Sequence, residues 1–549
     1  MRKVLPLALG LSVACSPAAQ DPADLLIVGG KVYTSDTAQW NAEAIAVKQG
    51  RVVFVGSRRD AMAYRGDSTQ VEDVNGATVV AGIVDAHAHV ANLGLRGIDL
   101  MGTQTYDEIV QMIAERAKTT PKGEWILGRG WDQNDWPEKA FPTHQKLSAA
   151  VPDHPVALTR VDGHALLVNA TAMRAAKLTA STRSPEGGQI EKANGAPTGV
   201  LIDNAMGLVR GVIPAPTGQQ MRDAILAAQE QMVRWGLTGV HDAGASALAM
   251  DAYQALGREG KLSARYYIML SDDAALLKEW FARAPAIGEY DGHLWVRMIK
   301  SYMDGALGSR GAALLAPYSD DAKNVGLLRT TPEHIQELAG QALQHGYQLG
   351  VHAIGDRANQ LVLDAFEAAL KANPKPDHRF RVEHSQILDP KDIPRFKSLG
   401  VIPSMQASHQ TSDMYWAGDR LGDTRLKGAY AWHALIESGV IIPNGSDFPV
   451  EKVNPLISFH SSISRQDEKN WPAGGWRPEE RMTRDQALLS MTLWPAMAAF
   501  QESELGTLTV GKRADFVVLD QDIMTIPAEQ VLATKVLTTY VGGKAVYRR

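Results

Sequence analysis

His87 and His89 stand two residues apart at the end of the apolar run Val84-Asp85-Ala86-His87-Ala88-His89-Val90. In a strand, residues i and i+2 face the same side, so both imidazoles can reach one metal ion. Such a pair alone is weak evidence, because most histidines pack or sit on surfaces. Four further residues repeat the placement. Lys300 ends Val296-Arg297-Met298-Ile299-Lys300, His352 ends Leu349-Gly350-Val351-His352, His384 ends Arg381-Val382-Glu383-His384, and Asp447 ends Asn444-Gly445-Ser446-Asp447. Histidine nitrogens and carboxylate oxygens are the donors that Zn2+ and similar divalent ions take. His87 and His89 with Asp447 would hold one ion, and His352 with His384 a second. Two cations need a bridging anion, which Lys300 becomes if its amine reacts with CO2 to give a carbamate (N6-carboxylysine). Taken singly, each residue also has an ordinary reading: a salt-bridging lysine, hydrogen-bonded core histidines, an aspartate that forms a turn in Gly445-Ser446-Asp447-Phe448-Pro449. Their coincidence at successive run ends favours a metal site of one ion or two.

Elements must hold these residues together. Between residues 81 and 504, strand-like runs alternate with helical ones, as at Met221 to Trp235 before Gly239-Val240-His241-Asp242 and His334 to Gln344 before the His352 run. That alternation predicts parallel βαβ units. Runs ending near His89, His241, Leu270, Lys300, His352, His384, Gln406 and Asp447 make eight, which predicts an α/β fold, a (β/α)8 TIM barrel with its site at the C-terminal ends of the strands. The stretch from about 92 to 216 is too long for one crossover and reads as an inserted subdomain over the barrel mouth. Short alternating runs with glycine turns fill 25–80, and the same pattern returns over 505–549, so the two ends predict one small β-sandwich domain.

Composition limits the partners. With 549 residues, 45% hydrophobic content and 21% charged, the chain can bury one large core and a smaller one. A net charge of −5 without a basic stripe argues against nucleic acid. The single cysteine, Cys15, follows the basic Met1-Arg2-Lys3 and an apolar run from Val4 to Ala14. Residues 1–15 read as a secretory signal peptide, too short to span a bilayer as a mature helix, and 16–24 as a polar linker. A cysteine after small residues resembles a bacterial lipoprotein signal with Cys15 lipidated, although Ser12 stands where leucine is usual; the alternative is a lipid-free signal cleaved nearby. The expected location is the periplasm or the outer membrane as a lipoprotein, with membrane contact through that lipid anchor alone. A site built on thiols is excluded.

The chain resembles the amidohydrolase superfamily, and within it the family 3 branch that includes N-substituted formamide deformylases. The resemblance runs from about Leu25 to Tyr547. It rests on Asp85-Ala86-His87-Ala88-His89, Gly130-Trp131-Asp132, Arg160-Val161-Asp162-Gly163-His164, Lys300 with Asp304-Gly305-Ala306-Leu307-Gly308-Ser309-Arg310, His352-Ala353-Ile354-Gly355-Asp356, Val382-Glu383-His384, Gly445-Ser446-Asp447-Phe448-Pro449-Val450 and Gly511-Lys512-Arg513-Ala514-Asp515. Ala81-Gly82 replaces the usual Pro-Gly, which touches no ligand. The resemblance implies a metal that lowers the pKa of a bound water, with Asp447 taking the water's proton and returning it to the leaving amine. His164, Arg310 and His409 are candidates to orient the substrate or assist the oxyanion and Trp131 to wall the pocket; the ordinary readings are that Arg310 only pairs with a carboxylate and Trp131 only packs the insert. The expected function is an exported, metal-dependent hydrolase cutting the C–N bond of a small-molecule amide, an N-acyl or N-formyl amine. Alternatives are a cyclic amide, a carbamate or an amine-bearing ring as substrate, or a non-catalytic binding barrel, against which the complete ligand set argues. Partners are expected to be limited to the small molecule and, at most, a second copy in a homodimer.

Overall fold

The computed structural model describes residues 20–95, 97–133, 136–160, 165–185, 188–308 and 310–549. At its centre seven strands pair in parallel in chain order: β1 (Ile83–Ala88), β2 (Leu237–Ala245), β3 (Arg265–Ser271), β4 (Leu294–Tyr302), β5 (Gln348–Ala353), β6 (Arg381–His384) and β7 (Ile402–Ser404). β1, β6 and β7 are buried at every position, as strands covered on both faces must be. The helix before β2 spans Gly218–Arg234, starting ahead of the apolar run because Thr217 and Gln220 form a capping box. The helix before β5 spans Pro332–His345, capped by Thr331 and ended by Gly346 at φ 78°.

The eighth run, expected to end at Asp447, is not a regular strand. Residues 443–447 instead thread between β7 and β1: Met405 N donates to Pro443 O (3.1 Å), Gly445 N to Met405 O (3.0 Å), and Ala86 N to Asn444 O (3.1 Å). Pro443 has no N–H for a ladder, and Asp447 turns to φ 60°, which ends any extended run. The segment still links the two edge strands of the sheet.

Between β1 and the helix before β2 lies a six-stranded sheet built from residues 98–203, with its own core around Leu100, Ile109, Ile113, Leu147 and Leu158. The chain ends meet in a sandwich. Thr78–Ala81 pairs antiparallel with Phe516–Leu519, and Ile27 and Ile45 of the facing four-stranded sheet pack with Val79, Phe516 and Val518 in one core. A buried ion pair bolts this sandwich to the barrel: Arg265 of β3 donates through Nε to Asp515 Oδ2 (2.5 Å) and through Nη2 to Oδ1 (2.8 Å). Among the described residues no helix is long and apolar enough to cross a membrane.

Candidate active site

β1 ends in the two histidines, and neighbouring strands orient each ring. His87 donates from Nδ1 to Glu383 Oε2 (2.5 Å), which turns Nε2 inward, where it finds no hydrogen-bond partner among the described residues. His89 uses Nδ1 on Ala243 O at the end of β2 (2.8 Å), and its Nε2 lies 3.1 Å from Asp447 Oδ1. His384 donates from Nδ1 to Gln406 Oε1 (2.8 Å), and its ring stands edge-on to His352 with centroids 4.5 Å apart. His87 and His384 thus each spend Nδ1 on a neighbouring side chain and keep Nε2 for the site, the arrangement by which outer partners fix metal-binding imidazoles.

Ligand atoms of His87, His384 and Asp447 all lie within 4.8 Å of one another, a grouping that crosses the two pairs expected from the sequence. Lys300 is fully buried on β4, its Nζ 4.0 Å from the centre of the Tyr302 ring and without a hydrogen bond among the described residues. Orphaned buried atoms with lone pairs, His87 Nε2 and Asp447 Oδ1 among them, in an N and O donor set fit a divalent ion such as Zn2+.

Electrostatics agree with that use. Burial lowers the pKa of His87, His352 and His384 below the ordinary histidine value, keeping them in the neutral, ligating form. Burial also pushes the Lys300 amine down to about 8, so a neutral, nucleophilic fraction exists near neutral pH. For Asp447 burial pushes upward, but the hydrogen bond from His89 and the surrounding imidazoles outweigh it and hold the carboxyl well below its usual range.

The backbone is bent to serve the site. His384 and Asp447 take φ values of 77° and 60°, left-handed positions that non-glycine residues occupy at a cost and that cluster at functional sites. The residue before Asp447 is held by Asp85, which accepts from Ser446 Oγ (2.6 Å) and Ser446 N (3.0 Å). Gly445 permits that approach, since a Cβ there would lie 2.5 Å from His87 N.

The expected substrate contacts divide. His409 reaches the site: its Nε2 is 3.8 Å from Asp447 Oδ2, its ring lies beside His384, and Nδ1 accepts from Gln386 Nε2 (3.0 Å). Trp131 does not wall a pocket; it is fully buried in the insert's core, its indole N–H donated to Leu158 O (2.8 Å). Arg310 is engaged by Asp320, through Nε (3.1 Å) and Nη2 (2.9 Å), rather than left open for a substrate. His164 and Cys15 lie outside the described residues. Sequence reasoning gave no role to Glu383, Arg381, Asp85, Gln386 or Gln406; the one available signal was Arg381-x-Glu383, two charges facing one side of an otherwise apolar strand.

Residues 70–547 match the amidohydrolase family. The chain is 33% identical over 548 residues to Protein LONG AFTER FAR-RED 3 of Arabidopsis thaliana, covering 97% of this chain and 93% of that protein. It is 27% identical over 543 residues to the N-substituted formamide deformylase of Arthrobacter pascens, covering 96% and 98%. An uncharacterised metal-dependent hydrolase from Pyrococcus furiosus superposes with a TM-score of 0.76 at 27% identity, over 91% of this chain and 100% of that one. With a family match over residues 70–547, which takes in the whole barrel, the chain belongs to the amidohydrolase family.

Proposed function

We propose that this protein is an exported hydrolase of C–N amide bonds, acting on N-acyl or N-formyl amines. The observation that carries the reading is the convergence of His87, His384 and Asp447, with His89, His352 and Lys300 around them. Likeness to a formamide deformylase supports the bond type, and the Met1 to Cys15 segment supports export.

His87, His384 and Asp447 would hold a divalent ion, with His89 and His352 beside them. Such an ion supplies a Lewis acid that polarises a carbonyl and acidifies a water. Asp447 accepts the proton of the attacking water on its carboxylate and delivers it to the departing nitrogen, so the amine leaves neutral. His409 accepts at Nδ1 from Gln386, which puts its proton on Nε2; that N–H faces the cavity and is suited to the oxygen that gains charge as the carbonyl is attacked. Lys300 is carboxylated in this reading: its neutral amine attacks CO2, an N–C bond forms, one proton leaves, and a two-toothed anion results.

Metal analysis of the purified protein, followed by turnover assays on a panel of N-formyl and N-acyl amines, tests the proposal. Release of the free amine by a metal-loaded preparation supports it. Turnover confined to carbamates or amine-bearing rings would replace the amide assignment.

A further inference from the structure

We propose that Glu383 is a positioning residue that acts through His87, and that Arg381 withholds Glu383 from the metal. The inference rests on the metal-site reading above. Glu383, Arg381 and His87 have fully buried side chains. A buried carboxylate this close to a ligand histidine has the chemistry to bind the ion itself, yet Oε2 is hydrogen-bonded and Oε1 stands against the Arg381 guanidinium in an ion pair that does not reach hydrogen-bond geometry. Oε2 accepts from His87 Nδ1 (2.5 Å) and from Arg381 Nη2 (3.0 Å), while Oε1 lies 2.7 Å from Arg381 Nε. Gly350 leaves room for this grip: a Cβ on that residue would come within 3.0 Å of Glu383 Oε1.

Arg381 is fixed in turn by the barrel. Its Nη2, whose two hydrogens are shared among three acceptors, also lies 2.7 Å from both Ala86 O and Ser404 Oγ, and Nη1 donates to His241 Nδ1 (3.0 Å). Four strands, β1, β2, β6 and β7, thus meet at one guanidinium beneath the site. A buried ion pair of this kind is often no more stabilising than apolar residues of the same shape, so stability alone is a poor reason for it. Its effect is on His87. With Nδ1–H committed to a carboxylate, Nε2 carries the free lone pair, its direction is set, and its basicity rises.

The test is metal affinity, which does not depend on knowing the substrate. Zn2+ dissociation constants are measured by competition with a chromogenic chelator on the parent protein and on Glu383→Gln. The variant should bind roughly 10- to 100-fold more weakly, with as many ions at saturation as the parent. A purely structural role would lower the unfolding temperature of the metal-free variant and leave the dissociation constant of the folded protein within about two-fold of the parent, well short of the effect expected of an outer partner. That result overturns the proposal, as does the loss of an ion at saturation, which would make Glu383 itself a ligand. Should the glutamine variant not fold, Glu383→Asp, which keeps the charge but shortens its reach, is judged by the same criteria. A parent protein that binds no divalent ion sinks the functional reading itself, so the two failures are distinguishable.

Discussion

The backbone amide of Asp447 donates to the carbonyl of His87 at 2.7 Å. The first and last of the expected ligands are therefore tied by a bond in which neither side chain takes part, and the geometry between them is set by the barrel seam.

Gly445 is the residue that lets this seam close, so Gly445→Ala should disturb it. Overpacking of this kind typically costs about 1–3 kcal/mol. Urea unfolding should show that loss together with reduced metal binding; a variant as stable as the parent with full metal content would show that the seam yields without consequence.

Metal should be indispensable. Prolonged chelation should abolish hydrolysis, and Zn2+ or a similar divalent ion should restore it. His87→Ala and His352→Ala should each lose metal and activity together. Full turnover by protein that contains no metal by elemental analysis would refute the mechanism.

Lys300→Ala should be inactive, and short carboxylic acids should restore part of its activity by standing in for the missing anion. Intact-protein mass spectrometry under gentle conditions, or a crystal structure, reads the modification directly. An unmodified ammonium turned away from a single ion would remove the bridging role.

Much of this site can be read from the chain because its donors close apolar runs, and runs that end in one polar residue are what barrel strands look like. Glu383 could not be read that way. Alternation sends Glu383 and His384 to opposite faces of a strand, and His384 joins Glu383's surroundings only because its backbone turns to φ 77°. Trp131 takes the ordinary reading, packing the insert. An aromatic in a polar-looking stretch suits a ligand wall, but its N–H is satisfied by a carbonyl 27 residues away, a pairing that no local pattern announces. Arg310 likewise pairs with a carboxylate, that of Asp320 in the loop that follows it. The eighth barrel position was visible as a run and invisible as an irregular one, because a proline at its start and a left-handed turn at its end matter only once the neighbouring edges are in place.

On the proposal that Cys15 carries a lipid, Cys15→Ser should move the protein from the membrane fraction to the soluble fraction while leaving catalysis intact, since the site is built from residues 87–447. Cell fractionation decides this. A parent protein already wholly soluble after export would leave a cleaved, lipid-free signal as the reading of the first residues.

Asp447→Asn should keep the shape of the side chain and remove the proton carrier. Turnover should fall by about 10²- to 10⁴-fold, toward the upper end because a ligand is weakened as well. Stopped assays on a cleaved substrate, with metal content measured on the same sample, separate the two effects. A parent that turns over nothing on a broad panel yet binds a small molecule equally well with Asp447→Asn would identify a sensor rather than an enzyme.

The antiparallel pairing of Thr78–Ala81 with Phe516–Leu519 has a consequence for how the protein is made. The strand emerging early from the ribosome has no neighbour on that edge until nearly the whole chain has been synthesised, so the sandwich, and the Arg265 to Asp515 bolt that depends on it, can form only at the end of translation. Until its last residues are made, the chain therefore lacks one wall of the sandwich.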